Sequence, residues 1–590
     1  MAELPRLRDL QFLLYDVLKT HELCERPRFD GHDRAGFDAV LGQAEALARD
    51  VFEPFAARLD AEEPTFDGER VTTIPELPTA IAAYVDAGFP AMSFPEAHGG
   101  LGLPFTVASA AGMLFTAANG PAQGYAFLTA GAANLLLAFG SAEQIATYAA
   151  PMIEGRWFGT MALSETQAGS SLADIATRAT PREDGAYRLT GSKMWISGAE
   201  HELRENIVNL VLARIDGAPA GVKGISLFVV PKFMPDADGR PGARNGVRLV
   251  GLNRKMGQRG TTNTVLALGA EEPCVGFLVG EPHQGLRYMF HMMNEARIGV
   301  GAGAAVTAWR GYLEALAYAR ERRQGRALNA KTPNAPAVPI IEHPDVMRML
   351  LAQKAIAEGS VHLCLAGARL VDEIAVEDDP AKKADLQLLL EVLTPIIKSW
   401  PSERGCEANS LAIQVHGGYG YTHDFPVERL YRDQRLNPIH EGTTGVQGLD
   451  LLGRKMRMEG GRGAALLISR IKTTTAEARA AGWTAQADAL DAALDRAAAL
   501  TMTLLIRAAR DPRTGLGGAT LYLGALGTIV AGWLWLQQVL ALVDAPDDAF
   551  KRGKHAAARW LFAHDLPLAV ATLGVLEADD DLLLTPPDDL

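Results

Sequence analysis

From residue 7 to about 158 the apolar residues recur at steps of three and four, as in Phe37, Val40 and Leu41 followed by Ala44, Leu47 and Val51. That spacing predicts amphipathic helices. They are interrupted after Phe94, where Pro95 and the glycines Gly99, Gly100 and Gly102 predict a loop that no helix could continue through. Between residues 159 and 281 the period shortens. β-Branched runs at 207–212, 225–230 and 264–268, bounded by turn pairs such as Asp184-Gly185 and Asp238-Gly239, predict an antiparallel β domain. After Gly285 the helical period returns through Tyr312, Leu313 and Leu316, and again through Met347, Leu350 and Leu351, as expected of long helices packed in a bundle. The last block is rich in Ala and Leu, with Ala487, Leu490, Leu494 and Ala497 at helical spacing, and reads as a further helical module.

One segment of that block invites a different reading. Residues 521–543 carry no charge and are numerous enough to span a bilayer. Gly524, Gly527 and Gly532 suit close helix contacts, and Gln537 and Gln538 add polarity. We therefore expect a buried or interface helix, apolar all round as bundle cores can be, standing alone among the segments of the chain. Membrane contact is not expected.

Composition narrows the function. With 48% apolar and 22% charged residues the chain can bury cores and is not disordered. Its 57 basic against 70 acidic residues give a net charge of −13, which opposes nucleic acid and anionic membrane surfaces. Cys24, Cys274, Cys364 and Cys406 stand too far apart for a zinc pair or a small disulfide framework. Asp9 and Asp16 interrupt the apolar run an export signal requires, so the expected location is cytoplasmic. The 13 histidines form no H-x-x-x-H pair, so no metal is expected. Residues 299–304 fit a loose dinucleotide pattern, but they follow a predicted helix where the fingerprint requires a strand.

Three separated segments place polar residues where structure alone does not demand them. The first runs from Met161 through Leu163, Ser164, Glu165 and Gly169 to Ser170 and Ser171, offering hydroxyl donors to a phosphate or a ring carbonyl. The plain alternative is a hydrophilic turn. In the second, strict alternation puts Lys193, Trp195 and Ser197 on one face of a strand and Met194 and Ile196 on the other. A planar aromatic beside a hydroxyl suits a flat cofactor, although a tryptophan is also ordinary core material. The third joins Gln414, Gly417 and Gly418 to His440, Glu441, Gly442 and Thr443, just before a predicted helix at 446–455. A glutamate there is commonly no more than a favourable charge at the positive helix end.

In their order and spacing these segments resemble the acyl-CoA dehydrogenase family of flavoproteins, from about residue 35 to 456. The N-terminal extension around Phe12 to Leu18 and the extra C-terminal block resemble the long subgroup that includes 3-methylmercaptopropionyl-CoA dehydrogenases and some medium to long chain enzymes. The implied fold class is α+β: an extension at 1–34, an N-terminal helical domain at 35–158, a central antiparallel β domain at 159–281, a C-terminal four-helix bundle at 282–456 and an additional helical domain at 457–590. FAD would lie between β domain and bundle.

Carried over by that resemblance, Met161, Leu163, Ser164, Trp195 and Ser197 match positions around the flavin, and Ser170 one near the pyrophosphate or pantetheine. Arg322, with Gln414, Gly417 and Gly418, matches the grip on the FAD pyrophosphate of a neighbouring subunit, which implies a homodimer or a dimer of dimers. Asn294 and Arg297 match substrate-side positions. Glu441 matches the catalytic base, Gly442 the acyl-CoA pocket and Thr443 a flavin contact. The alternative base position of some relatives is Ala296 here, which takes no proton. The aromatic usual between Gln324 and Gly325 is absent, and the stretch from Lys331 is longer than in short members.

The implied reaction is α,β-dehydrogenation of an acyl-CoA thioester, of 3-methylthiopropanoyl or medium to long chain type. No side chain accepts hydride, so a redox cofactor is required. Glu441 would remove the α proton while the β hydride passes to flavin N5, and burial is expected to raise its pKa. Electrons would continue to an acceptor such as electron transfer flavoprotein. An oxygen-reducing acyl-CoA oxidase and a non-catalytic flavoprotein scaffold are the alternatives.

Overall fold

The computed structural model describes residues 4–332, 334–578 and 582–589, without the side chains of 290–293. The chain divides into two compact units, one of Met1–Leu41, Phe105–Met113 and Arg297–Leu590, the other of Gly42–Pro104 and Leu114–Ala296.

The second unit is built on a sheet of eight strands: β1 (Trp157–Ala162), β2 (Arg178–Pro181), β3 (Tyr187–Ser197), β4 (Asn206–Ile215), β5 (Ile225–Pro231), β6 (Val247–Leu252), β7 (Asn263–Leu268) and β8 (Cys274–Leu278). Their order is β6-β7-β3-β8-β5-β4-β1, with β2 pairing both β3 and β4. Along β4, Val208, Leu210 and Leu212 enter one core with Trp157, Leu227 and Met289, while Val211 and Ala213 enter another with Leu189, Phe228 and Leu266. Both faces of the strand are covered, which is why it reads as an unbroken apolar run.

The expected antiparallel pattern holds for most pairs but not for all. β1 and β2 each run parallel to β4. A parallel pairing needs a long crossover, and for β1 that crossover is itself made of β2 and β3.

Of the helices, α1 (Arg34–Leu47), α2 (Glu76–Asp86) and α3 (Phe105–Phe139) precede the sheet. α3 breaks at Asn119, with φ −156° and ψ 82°. Pro121 cannot donate a helical hydrogen bond, and the Asn119 side chain compensates by donating to the Phe52 carbonyl at 3.1 Å and accepting from the Ala122 amide at 3.3 Å.

The first unit is helical. α4 (Gly285–Glu321), α5 (Pro344–Val376) and α6 (Pro380–His416) are followed by α7 (Val427–Gln434), α8 (Thr444–Gly453), α9 (Arg462–Ala480), α10 (Thr484–Arg510), α11 (Ala519–Leu540), α12 (Ala549–Trp560) and α13 (Leu566–Glu577). The uncharged segment flagged in the sequence is α11, packed against α5, α6, α8, α9, α10 and α13. Its indoles are satisfied inside the fold. Trp533 donates to Thr474 at 2.9 Å and Trp535 to the Ala355 carbonyl at 3.1 Å. A Cβ on Gly527 would stand 2.6 Å from Trp400, and one on Gly532 3.2 Å from Leu490, but around Gly524 nothing lies within 4 Å. Two of the three glycines thus serve close contacts.

The expectation that this segment stands alone is corrected. Among the described residues three helical stretches are long and apolar enough to cross a membrane: Phe105–Phe139, Pro512–Leu540 and Ala549–Glu577, with 83% of the apolar part of the second buried in the fold. Small residues such as the alanines of α3 raise apolarity as effectively in a packed protein helix as in a membrane one.

The N-terminal extension belongs to the same unit. Phe12, Leu13, Leu14 and Tyr15 are buried, and Lys554 of α12 pairs with Asp9 at 2.9 Å and with Glu358 of α5 at 2.8 Å.

Candidate active site

Glu441 lies between α7 and α8 and is followed by a helix cap: the Thr443 hydroxyl accepts the Val446 amide at 3.3 Å. Glu441 and Gly442 are both left-handed, with φ of +53° and +88°. At Gly442 a side chain would strike Gln447, whose Nε2 lies 2.7 Å from a built Cβ. At Glu441 the conformation costs about 1–2 kcal/mol, and two side chains hold it. Gln447 Nε2 donates to the Glu441 carbonyl at 3.0 Å, and Lys398 Nζ of α6 donates to the Gly442 carbonyl at 2.7 Å.

Burial and two cations set the electrostatics around this turn. Burial raises the Glu441 carboxyl above its ordinary value, with Arg297 and Lys398 opposing. Arg297 is 4% exposed and pairs with Asp450 at 3.3 Å. Burial pushes Lys398 down to about 8, against the pull of Glu441 and Glu403. His440 is driven to about 3 by burial and by Lys398, so it is neutral beside the carboxylate. A carboxyl whose proton affinity is raised by desolvation and lowered by flanking cations has the two opposing influences that suit a general base. The expected rise in the Glu441 pKa is present.

Lys398 was not among the residues singled out in the sequence. Its signal was there: a lysine closing the apolar run from Val392 to Ile397, which in a buried helix requires a partner.

The residues of the second unit expected on the flavin side lie on and after β1 and along β3. Met161 lies on β1, next to its last residue, and the Met194 amide donates to the Ser164 carbonyl at 3.0 Å. The Thr160 hydroxyl donates to the Ser197 carbonyl at 2.6 Å, and the Ser197 hydroxyl accepts from Asn263 at 3.1 Å. Ser170 lies in an exposed loop, and Asn294 on α4 is half-buried.

The common face expected for Lys193, Trp195 and Ser197 is not formed. Against β7, Ile196 pairs with Thr264 and Lys193 with Leu266, so Met194 and Trp195 together oppose Val265 alone. This is a β-bulge, with Trp195 at φ +65°. It turns the Trp195 indole outward, 59% exposed, while Lys193 stays fully buried. A tryptophan packed in a sandwich core is thereby also excluded.

An outward indole beside the serine hydroxyls is a donor and stacking set that fits a flavin. In the other unit, Arg322, Gln414, Gly417 and Gly418 are exposed. Tyr318 stacks on His416 with centroids 4.4 Å apart, setting the end of α4 beside the end of α6. Both are C-terminal helix ends, whose dipole does not favour an anion, so what suits a phosphate there is the Arg322 guanidinium and the Gln414 side-chain amide.

Comparison with known proteins agrees with this architecture. Family models match the acyl-CoA dehydrogenase N-terminal domain at residues 38–156, the middle domain at 160–268 and the C-terminal domain at 283–456, and an acetyl-CoA dehydrogenase C-terminal-like domain at 467–587. The chain is 39% identical to 3-methylmercaptopropionyl-CoA dehydrogenase of Ruegeria pomeroyi, over 88% of each chain. It is 34% identical to the broad-specificity linear acyl-CoA dehydrogenase FadE5 of Mycobacterium tuberculosis, over 98% of each. Among solved structures, Caenorhabditis elegans ACDH-11 in complex with C11-CoA superposes with a TM-score of 0.75 at 20% identity, covering 95% of this chain and 90% of that one.

The chain belongs to the acyl-CoA dehydrogenase family. It is an oxidoreductase of that class, and the cofactor of the class is FAD.

Proposed function

We propose that the protein dehydrogenates a linear acyl-CoA thioester between its α and β carbons, with Glu441 as the base. The observation that carries this reading is the carboxyl of Glu441, raised by burial and flanked by Arg297 and Lys398. Bound FAD supplies the hydride acceptor that no side chain can provide. Glu441 takes the α proton; the left-handed turn at Glu441 and Gly442, held by Gln447 and Lys398, keeps that carboxylate from relaxing away from its position. In the second unit Met161, Leu163, Ser164, Trp195 and Ser197 serve the flavin ring and Ser170 the pyrophosphate or pantetheine; in the first unit Thr443 is the candidate flavin contact. For the thioester side the candidates are Arg297 and Gly442 in the first unit and Asn294 in the second.

The relatives named for a methylthio-substituted propanoyl ester and for broad linear substrates support short thioether and longer linear chains as the substrate classes. Exposure of Arg322, Gln414, Gly417 and Gly418 supports an inter-subunit grip on FAD within a homodimer or a dimer of dimers. Electron transfer flavoprotein is the acceptor we favour over oxygen.

The test is anaerobic flavin bleaching by acyl-CoAs of graded length, including the 3-methylthiopropanoyl ester, in wild type and Glu441→Gln. Wild-type bleaching with at least one of these esters, and its loss in a variant that keeps its flavin, is the expected result. Near wild-type bleaching in Glu441→Gln would remove the assignment. Admitting air to the reduced protein then separates a slow-reoxidising dehydrogenase from an oxidase.

A further inference from the structure

Lys398 is unusual among the cations of the first unit. It sits in α6, 0% exposed, and its Nζ donates 2.7 Å to the carbonyl of Gly442, 44 residues further along the chain. An ammonium brought out of water is costly, and a backbone carbonyl alone is a weak return for it. The return becomes adequate when the charge also faces a carboxylate, and Lys398 does interact with both Glu441 and Glu403.

We propose that Lys398 is a positioning residue for the reaction: it locks the left-handed Glu441–Gly442 turn through the Gly442 carbonyl and sets the proton affinity of the Glu441 carboxyl by standing beside it as a buried cation. The inference rests on Glu441 being the base. Two features of the turn make the lock necessary. A non-glycine residue at φ +53° returns to a right-handed or extended conformation when nothing holds it. The Gln447 contact secures only the Glu441 carbonyl, leaving rotation about Gly442, which glycine permits freely, to be stopped by Lys398.

Arg297 is the other charge acting on the same carboxyl, and the remaining titratable groups nearby have their own roles. Arg297 from α4 also favours ionisation, but it is already engaged with Asp450 of α8. Glu403, five residues along α6 from Lys398, accepts from the Thr444 hydroxyl at 2.5 Å. His440 is neutral. Lys455 pairs with Glu391. Lys398 is thus the cation that touches the turn itself.

The experiment measures the rate of anaerobic flavin bleaching against pH in the FAD-loaded protein, using a saturating acyl-CoA that bleaches the wild type. Lys398→Met, Lys398→Arg and Glu441→Gln are compared with wild type. Removing an opposite charge from a carboxylate's surroundings raises its pKa by about one unit or more. Lys398→Met should therefore move the acid limb of the profile to higher pH by about that much, and lower the plateau rate roughly tenfold by loosening the turn. Lys398→Arg keeps the charge but not the geometry, so its acid limb should stay near wild type while its plateau falls.

An unmoved acid limb and plateau in Lys398→Met would overturn the proposal. Should that variant not fold, an Arg variant with a shifted acid limb or an undiminished plateau would do the same. Turnover retained in Glu441→Gln is a separate failure, of the base assignment and not of the lysine's role.

Discussion

Lys193 and Glu165 form a buried ion pair, Nζ to Oε1 at 3.0 Å, with their side chains 0% and 3% exposed. The pair joins β3 to the segment after β1, and Lys193 reinforces the joint by donating to the Leu163 carbonyl at 3.0 Å. Glu165 also receives the Thr177 hydroxyl at 2.6 Å and the amides of Ala176 and Thr177 at 2.7 and 3.1 Å. Leu163 and Ser164, proposed flavin contacts, are thus held from both sides. Removing one partner of such a pair leaves a buried charge, at a cost of about 3–5 kcal/mol. Lys193→Met should lower the urea midpoint accordingly and release flavin faster than wild type.

The same site predicts an acid limit. Burial alone would raise the Glu165 carboxyl, but the charge of Lys193 and the hydrogen bonds from Thr177 and Ala176 outweigh it and hold the group down at about 2, against 4.5 for a free glutamate. A carboxyl with a depressed folded pKa stabilises the fold above the unfolded value and loses that contribution as pH falls from 4.5 toward 2. In Glu165→Gln the slope of stability against pH should flatten in that window. An unchanged slope, measured by urea titration across pH, would contradict the assignment.

For Glu441 the direction is opposite. Its pKa lies above the ordinary 4.5 and a base acts only when deprotonated, so the bleaching rate of the wild-type holoenzyme should rise with pH through a midpoint above 4.5. A rate independent of pH down to that value would argue against a raised carboxyl as the base. In Glu441→Gln the rate should fall by about a hundredfold or more.

Trp195 should separate folding from cofactor binding. Its left-handed backbone costs about 1–2 kcal/mol, and its indole is 59% exposed. Trp195→Gly should leave the apoprotein as stable or about 1 kcal/mol more so, yet weaken flavin retention. Thermal melting of the apoprotein and flavin dissociation are the two readouts, and both moving downward together would mean the indole is a core residue after all.

Two glycines on α11 should respond in opposite senses to alanine. At Gly527 the new Cβ meets Trp400 at 2.6 Å, an overpacking worth about 1–3 kcal/mol of destabilisation. At Gly524 no atom lies within 4 Å, and alanine's helix propensity should add up to about 1 kcal/mol. Denaturant melts of the two variants check the pair.

Much of this protein was legible from local pattern. The change from helical to strand period, the breaks at loops and the residues around Glu441 are all encoded within short windows, because secondary structure depends on which side of an element each residue faces. The acyl-CoA dehydrogenase fold class followed from the resemblance of those segments, taken in order, to that family. What required the folded chain was pairing at long separation. The bulge that inverts Lys193 and Trp195 is set by register against β7, and strict alternation cannot reveal an inserted residue. Lys398 meets the Gly442 carbonyl across 44 positions, and Lys193 meets Glu165 across 28. The tertiary structure alone decides which charges are buried together, since desolvation depends on the packed surroundings, and those surroundings give the Glu441–Gly442 turn its shape and its carboxyl's proton affinity.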